Sequence, residues 1–267
     1  MTAPLAPGEL EAFLRWLSSQ SGLHAEAYRP SFVERRVLPR LRATGAGTLG
    51  AYLEHLRTHP SERRILMAKL MVATTEFFRN PEVFETLGDL IQARLGGAFR
   101  EPIRVVSAAC STGQEPVSLA ILLAEMGLDF RILALDRHPP SLRILAAGRY
   151  AAKALSTLDG ALVRRHFDEE AGGTLRLKPA LRKRIRAGCC DLTRGIPARG
   201  AHVLSCRNVF IYLTEASQAR LLEEAAQATV PGGLLVLGRV EGIPRREHHA
   251  WRAVARDAKI YARGGEA

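Results

Sequence analysis

Apolar residues recur along this chain with two different periods, and the change between them divides the sequence. Leu10, Phe13, Leu14 and Leu17 stand three and four apart over Glu9–Ser19, the spacing of one helical face. Ser31-x-x-Glu34 has the form of a capping box and predicts a second helix, which Pro39 is expected to kink or shorten. Thr48 opens a third helix with Leu49, Tyr52, Leu53 and Leu56 on its apolar face, and Ser61 opens a fourth. Asn80-Pro81 supplies a cap and a first-turn proline for a helix over Glu82–Leu95, closed by Gly96-Gly97. From Ile103 short apolar runs alternate with helical patterns: IRVVSA, PVSLAILLAEMG, FRILALD, PPSLRILAAGRY, HVLSCRNVFIY, EASQARLLEEAAQAT and GGLLVLGRV. That alternation predicts a doubly wound α/β unit around a mostly parallel sheet, with DAKIYARGG as one further strand. The expected organisation is an all-α domain over 1–73, a linker and connecting helix over 74–100, and an α/β domain over 101–267. The pattern does not order Leu155–Arg199.

One apolar run is interrupted in an unusual way. Val203-Leu-Ser-Cys-Arg-Asn-Val-Phe-Ile-Tyr-Leu213 breaks at Cys206, Arg207 and Asn208 before a second apolar stretch. A guanidinium and an amide at the end of a buried strand need partners. The carboxyl end of a strand is where open α/β sheets bind ligands. The break therefore reads as the floor of a site.

Composition narrows the setting. The 267 residues are 47% hydrophobic and 24% charged, as in ordinary globular proteins. No apolar run approaches the ~20 residues a membrane span needs, and the first residues lack a signal-peptide pattern, so a cytoplasmic monomer without membrane insertion is expected. The four cysteines show no metal-ligand spacing and read as packing residues. A formal charge of +11 favours acidic partners. It is concentrated in Tyr28–Arg42, with five arginines against Glu34, and in Arg176–Arg186, with six basic residues and no acid. Arg36 and Arg40 fall on one face of the second helix.

Ala109-Cys-Ser-Thr-Gly-Gln-Glu-Pro116 follows the first strand, where such folds place a cofactor, but Gly113 alone cannot serve a pyrophosphate. Glu115 beside it suits a cationic ligand or a hydroxyl rather than a phosphate. Asp136 ends the second strand 23 residues after Gly113, about the distance of a ribose-binding acid. A ribose site without a phosphate loop points to a nucleoside cofactor such as S-adenosylmethionine. The alternative is an aspartate that caps the helix after it.

With these residues in hand, the chain resembles the chemotaxis receptor methyltransferase family, CheR, along nearly its whole length. The carriers are Thr75-Glu-Phe-Phe-Arg79, Cys110-Ser-Thr-Gly-Gln-Glu-Pro116, Asp136, Phe167, Cys206-Arg-Asn-Val-Phe-Ile-Tyr212 and Pro231–Glu241. The resemblance implies a class I S-adenosylmethionine-dependent methyltransferase fold behind a small all-α domain, with a small β insertion at about 167–190. It implies methyl transfer from S-adenosylmethionine to glutamate side chains on the cytoplasmic methylation helices of chemoreceptors, leaving S-adenosylhomocysteine. Thr75 and Arg79 would close over the methionine end of the cofactor, with Gly113 and Glu115 beside it and Asp136 on the ribose. Asp191 and Leu192 would stand near the adenine, and Arg207 and Asn208 would form the floor. Tyr212 would face the incoming carboxylate, with Arg94 a second candidate for that role, and Arg36 and Arg40 would meet the acidic receptor helices.

The chain departs from the family pattern at Ala73, Val117, Asp191, Leu213 and Arg239-Val240, which marks a divergent member. Gly172-Gly173 reads as a short hairpin turn without a glycine-bearing insertion, so no tether to a receptor's C-terminal peptide is expected. Two other readings compete. A nucleic-acid methyltransferase would suit the charge but lacks base-methylation motifs and interleaved aromatics, so nucleic acid is not expected as a partner. A catalytically weak homologue that binds receptor or cofactor would suit the departures.

Overall fold

The computed structural model describes residues 7–71, 74–95, 101–244 and 250–264. Two compact units result, one within Met1–Val72 that takes in Tyr212–Arg220, the other formed by Ala73–Ile211 and Leu221–Ala267.

Among the described residues, the N-terminal part of the first unit forms the α-helices α1 (Pro7–Ser21), α2 (Pro30–Thr44), α3 (Leu49–Thr58) and α4 (Pro60–Leu70). Their apolar stripes make one core: Phe13 and Leu17 of α1, Phe32 and Val37 of α2, Tyr52 of α3 and Leu66 of α4. Thr48 caps α3 by accepting the Ala51 N–H at 3.2 Å. The capping box does not form. α2 begins one residue before Ser31, at Pro30, with no side-chain cap, because proline already carries a helical φ and has no N–H to satisfy. Pro39 lies inside α2 without ending it, and Gly45 closes the helix in the left-handed conformation. α4 likewise starts at Pro60 rather than Ser61. At the centre of this unit Glu62 is buried, forked by Arg40 (Nε–Oε1 2.8 Å, Nη2–Oε2 2.5 Å) and receiving the Tyr52 hydroxyl at 2.7 Å.

The second unit begins with α5 (Pro81–Leu95). It continues with β1 (Ile103–Ala108), α6 (Gln114–Glu125), β2 (Phe130–Asp136), α7 (Pro139–Ala147), β3 (Arg149–Ala151) and α8 (Gly160–His166). Next come β4 (Phe167–Glu170), β5 (Thr174–Leu177), α9 (Pro179–Arg182), β6 (Ile185–Cys189) and β7 (Ala201–Cys206). α10 (Glu215–Ala228), β8 (Thr229–Leu237), β9 (Trp251–Ala255) and β10 (Ile260–Arg263) complete the chain. Seven strands form a sheet in the order β6-β2-β1-β7-β8-β10-β9, parallel except where β10 pairs antiparallel with β8 and β9. This is the strand order of class I methyltransferases. β9 lies outside the apolar runs identified from sequence, and β7 ends at Cys206, the second apolar stretch forming a single-turn helix at Phe210–Tyr212. A separate antiparallel sheet, β3-β5-β4, spans residues 149–177, while β6 joins the main sheet. In the β4–β5 turn Gly172 and Gly173 both adopt positive φ (75° and 70°).

Candidate cofactor and active site

The carboxyl ends of β1, β2, β6 and β7 carry the candidate residues, on turns that few side chains tolerate. Six described non-glycine residues have positive φ, and Phe78, Asn80, Ala109, Ser111 and Asn208 are five of them. Such conformations cost of order 1–3 kcal/mol each and persist where surrounding contacts hold them. Gly113 joins them at φ 96°, and a Cβ there would lie 2.3 Å from Leu145 Cδ1, so this turn admits only glycine. The Ser118 hydroxyl donates to the Gln114 carbonyl and accepts the Phe78 N–H, each at 2.8 Å. This ties the Thr75–Arg79 segment to the first turn of α6.

Asp136 does not cap α7. Its two oxygens accept the N–H groups of Ser111 and His138, each at 2.8 Å, which fixes the carboxylate while leaving lone pairs on both oxygens. Glu115 accepts the Ser107 hydroxyl at 2.8 Å and lies 3.8 Å from Arg207 Nη1.

Arg207 is the brace of the site. Its Nη2 donates to the Arg79 carbonyl (2.6 Å) and to Asn80 Oδ1 (3.0 Å), and the guanidinium sits over the Phe84 ring at 5.4 Å. Thus the polar break in the apolar run is partnered by the segment that precedes it in sequence by more than a hundred residues. Burial lowers the Arg207 pKa, opposed chiefly by Glu115. The Arg79 side chain reaches back to the Thr74 carbonyl at 3.5 Å.

Sequence reasoning passed over Glu241 as a site residue. Its carboxylate is buried and accepts three backbone N–H groups, from Gly238 (2.6 Å), Asn208 (2.9 Å) and Ile211 (3.3 Å). Burial pushes its pKa up, and those N–H groups pull it part of the way back. The signal was available: an acid four residues after the apolar run Leu234–Leu237, with Gly238 between them, where a Cβ would sit 2.6 Å from Glu241 Oε2.

Asp191 opens a single-turn helix at Leu192–Arg194, its Oδ1 accepting from the Thr193 N–H (3.1 Å) and hydroxyl (2.7 Å). Its Oδ2 is buried without a partner, as is the Ser111 hydroxyl. Buried polar atoms left open beside a ribose-type aspartate fit a nucleoside ligand that donates and accepts hydrogen bonds. Leu192 is buried beside them. The residues present therefore suit S-adenosylmethionine. Burial pushes the Cys110 and Cys206 thiols up, so neither is a thiolate nucleophile. No cluster of metal-ligating side chains occurs among the described residues.

Other expected residues lie elsewhere. Arg94 is exposed in the last turn of α5, about 20 Å along the helix axis from the Asn80 end that meets Arg207. It is not brought into this cluster. Arg40 is committed to Glu62 rather than left open on the α2 surface, because a buried carboxylate needs a counter-charge. Arg36 stays partly exposed, its guanidinium 5.6 Å from the Phe32 ring centroid. Tyr212 belongs with the first unit, its ring 4.7 Å from Phe32. Its hydroxyl has no hydrogen-bond partner among the described residues. Thr75 is partly buried next to the Phe77 anchor. Among the departures, Val117 and Leu213 are buried packing residues, Arg239 pairs with Glu82 at 3.3 Å, and Ala73 lies outside the described residues. No helix among the described residues is long and apolar enough to cross a membrane.

Comparison with known proteins gives a family. Residues 73–260 match the CheR methyltransferase, SAM binding domain, and residues 8–71 match the CheR methyltransferase, all-alpha domain. A chemotaxis protein methyltransferase of Listeria innocua is 31% identical over 86% of this chain and 88% of its own length. Chemotaxis protein methyltransferase 2 of Vibrio cholerae is 29% identical, covering 87% of this chain and 85% of its own. The "Probable biofilm formation methyltransferase WspC" of Pseudomonas putida is 31% identical over 87% of this chain, which spans 56% of that longer relative.

Proposed function

Because the chain belongs to the CheR methyltransferase family and is an S-adenosylmethionine-dependent methyltransferase, we propose that it esterifies glutamate side chains on chemoreceptor methylation helices. The observation that carries this reading is the braced cluster at the strand ends. Arg207 holds Arg79 and Asn80 beside Glu115, while Asp136 and Asp191 are fixed by backbone N–H groups with acceptor capacity to spare.

When bound, S-adenosylmethionine supplies a methyl group already activated by its sulfonium. Glu115 would receive the cofactor's cationic amino end and Asp136 its ribose hydroxyls, with Asp191 and Leu192 near its adenine. Arg79 and Thr75 would close over the methionine end, and Gly113 would keep the turn open to backbone approach. A glutamate acceptor is an anion at neutral pH, with an unperturbed pKa near 4.3, so no general base is required. The protein's task is then to orient a carboxylate oxygen and exclude water. Tyr212, whose hydroxyl has no hydrogen-bond partner among the described residues, is the residue we assign to that carboxylate. Arg36, on the basic face of α2, is assigned to the acidic helices of the substrate, and Arg40 supports that helix through Glu62.

The turn between β4 and β5 has no inserted loop, so activity is expected to be independent of a receptor tail peptide. The test is transfer of a labelled methyl group to receptor cytoplasmic domains with and without their C-terminal segment. Base-labile label on glutamate in both substrates is expected. Base-stable label on RNA or DNA, with none on receptors, would overturn the assignment. Label that disappears with the tail would overturn tether independence alone.

A further inference from the structure

The amino ends of the strands present a second surface, away from the carboxyl-end turns described above. Along β1, β2 and β6, Val105, Phe130, Ile132 and Ala187 face the core that includes α6. Alternate residues face the other way. That other face carries Arg104 on β1, Arg131 and Leu133 on β2, and Arg186 on β6. Arg104 is the register partner of Arg131, and Leu133 of Arg186. Three guanidinium side chains therefore rise from one face of adjacent strands, which lie ~4.8 Å apart. Arg104 already pairs with Glu101 at 3.2 Å and donates to the Gly200 carbonyl, so it is Arg131 and Arg186 that gain from a further anionic partner.

Parallel sheets are ordinarily covered on both faces by crossover helices. Here the connection from β6 to β7, residues 190–200, contains only the single-turn helix at Leu192–Arg194. The result is a groove of about 630 Å³, floored by Val106 and Leu133 and bordered by Arg104, Arg131, Lys183, Arg186 and Arg199. Its one acid, Asp129, is already paired with Arg184. Arg131, Lys183 and Arg186 form no ion pair with any described residue.

We propose that this groove seats an acidic amphipathic helix of a partner protein, which takes the place of the missing crossover helix. Half-buried Leu133, above buried Val106, asks for an apolar ridge, and the arginines beside it ask for flanking carboxylates, which bind guanidinium bidentately. A nucleic acid would match the charge but not the floor. Phe130, the one aromatic residue along the groove, is buried with its side chain in the core on the other face of the sheet and offers no stacking platform.

The probe is a synthetic peptide of about five helical turns (~18 residues), leucines on one stripe and glutamates flanking it. A peptide of the same composition with the leucines dispersed, and a single-stranded oligonucleotide of matching charge, serve as comparisons. The patterned peptide is expected to bind at least about tenfold more tightly than either and to weaken as salt is raised. Amide-exchange protection should fall on β2 and β6. Reversing both charges, Arg131→Glu with Arg186→Glu, should reduce binding at least tenfold while leaving S-adenosylmethionine affinity and the thermal midpoint unchanged. Should that variant fail to fold, Arg131→Gln with Arg186→Gln provides the same test with a smaller loss. Equal binding of the dispersed peptide, tighter binding of the oligonucleotide, absence of binding, or indifference to these substitutions would each overturn the proposal.

Discussion

Glu241 offers the most decisive test of how the site is held. Its carboxylate collects the N–H groups of Gly238, Asn208 and Ile211, so Glu241→Ala leaves one buried and two part-buried donors without that partner. At about 1–3 kcal/mol for each unsatisfied group the ceiling is near 9 kcal/mol. The space vacated by the carboxylate can admit a water that restores part of this, which brings the expected loss to ~3 kcal/mol. Asn208 sits at φ 61° and is held there by Glu241 Oε2, so part of that loss should appear as disorder of the cofactor floor. If ordering the floor draws on all of it, S-adenosylmethionine affinity falls about a hundredfold, since 1.4 kcal/mol is a factor of ten. Glu241→Gln keeps one oxygen for the two shorter bonds and gives up the 3.3 Å contact to Ile211, so about 1 kcal/mol and a fall below tenfold are expected. The assay is titration calorimetry with the cofactor, paired with urea unfolding. Undiminished cofactor affinity in Glu241→Ala, with unfolding unchanged, would refute the bracing argument.

Four further outcomes are expected. Burial raises the folded-state pKa of Glu241 above its unfolded value, so its contribution to stability is greatest at low pH and declines as pH rises from the unfolded toward the folded value. That slope should vanish in Glu241→Gln when unfolding is followed against pH. Glu62 has the opposite sign: the Arg40 hydrogen bonds hold its pKa below the usual range, so the stability it adds is present above ~4.3 and is lost as pH falls through the lower folded value. Glu62→Ala, which strands Arg40 and the Tyr52 hydroxyl, should destabilise the protein by about 2–4 kcal/mol, read from the chemical denaturation midpoint. Gly113→Ala should cost both backbone strain and a clash with Leu145, lowering stability by at least ~2 kcal/mol together with cofactor affinity, while retention of both would exclude the tight-turn account.

The elements themselves were legible because each local pattern agreed with its tertiary use. Residues three and four apart in α1 and α3 do face one core, and the apolar runs IRVVSA and FRILALD are β1 and β2 to the residue. Helix starts were misjudged where two local rules competed. Proline at N1 displaced the Ser31 and Ser61 starts by one residue, because a preset φ and a missing N–H determine a first turn without any side-chain cap. β9 went unread, since Trp251–Ala255 alternates too weakly to declare a strand and is recruited by pairing with β10.

For the site, motif spacing by itself marked a lone glycine turn with Glu115 beside it, an acid at the end of the second strand, and an arginine where an apolar run breaks, while the family resemblance added the rest. These features are local, so one sequence suffices to see them. What only the tertiary structure decided is which of them meet. Arg207 finds Arg79 and Asn80 across the chain, Glu115 accepts Ser107 and approaches Arg207, and Glu241 returns from the next strand to hold Asn208. Arg40 and Arg94 share the residue type and helical placement of a binding arginine, yet one neutralises Glu62 and the other stands at the far end of α5. The physical reason is the cost of burial. A charged or polar group taken from water must find a partner, and the partner is chosen by the packing of distant segments, which no local pattern along the chain records.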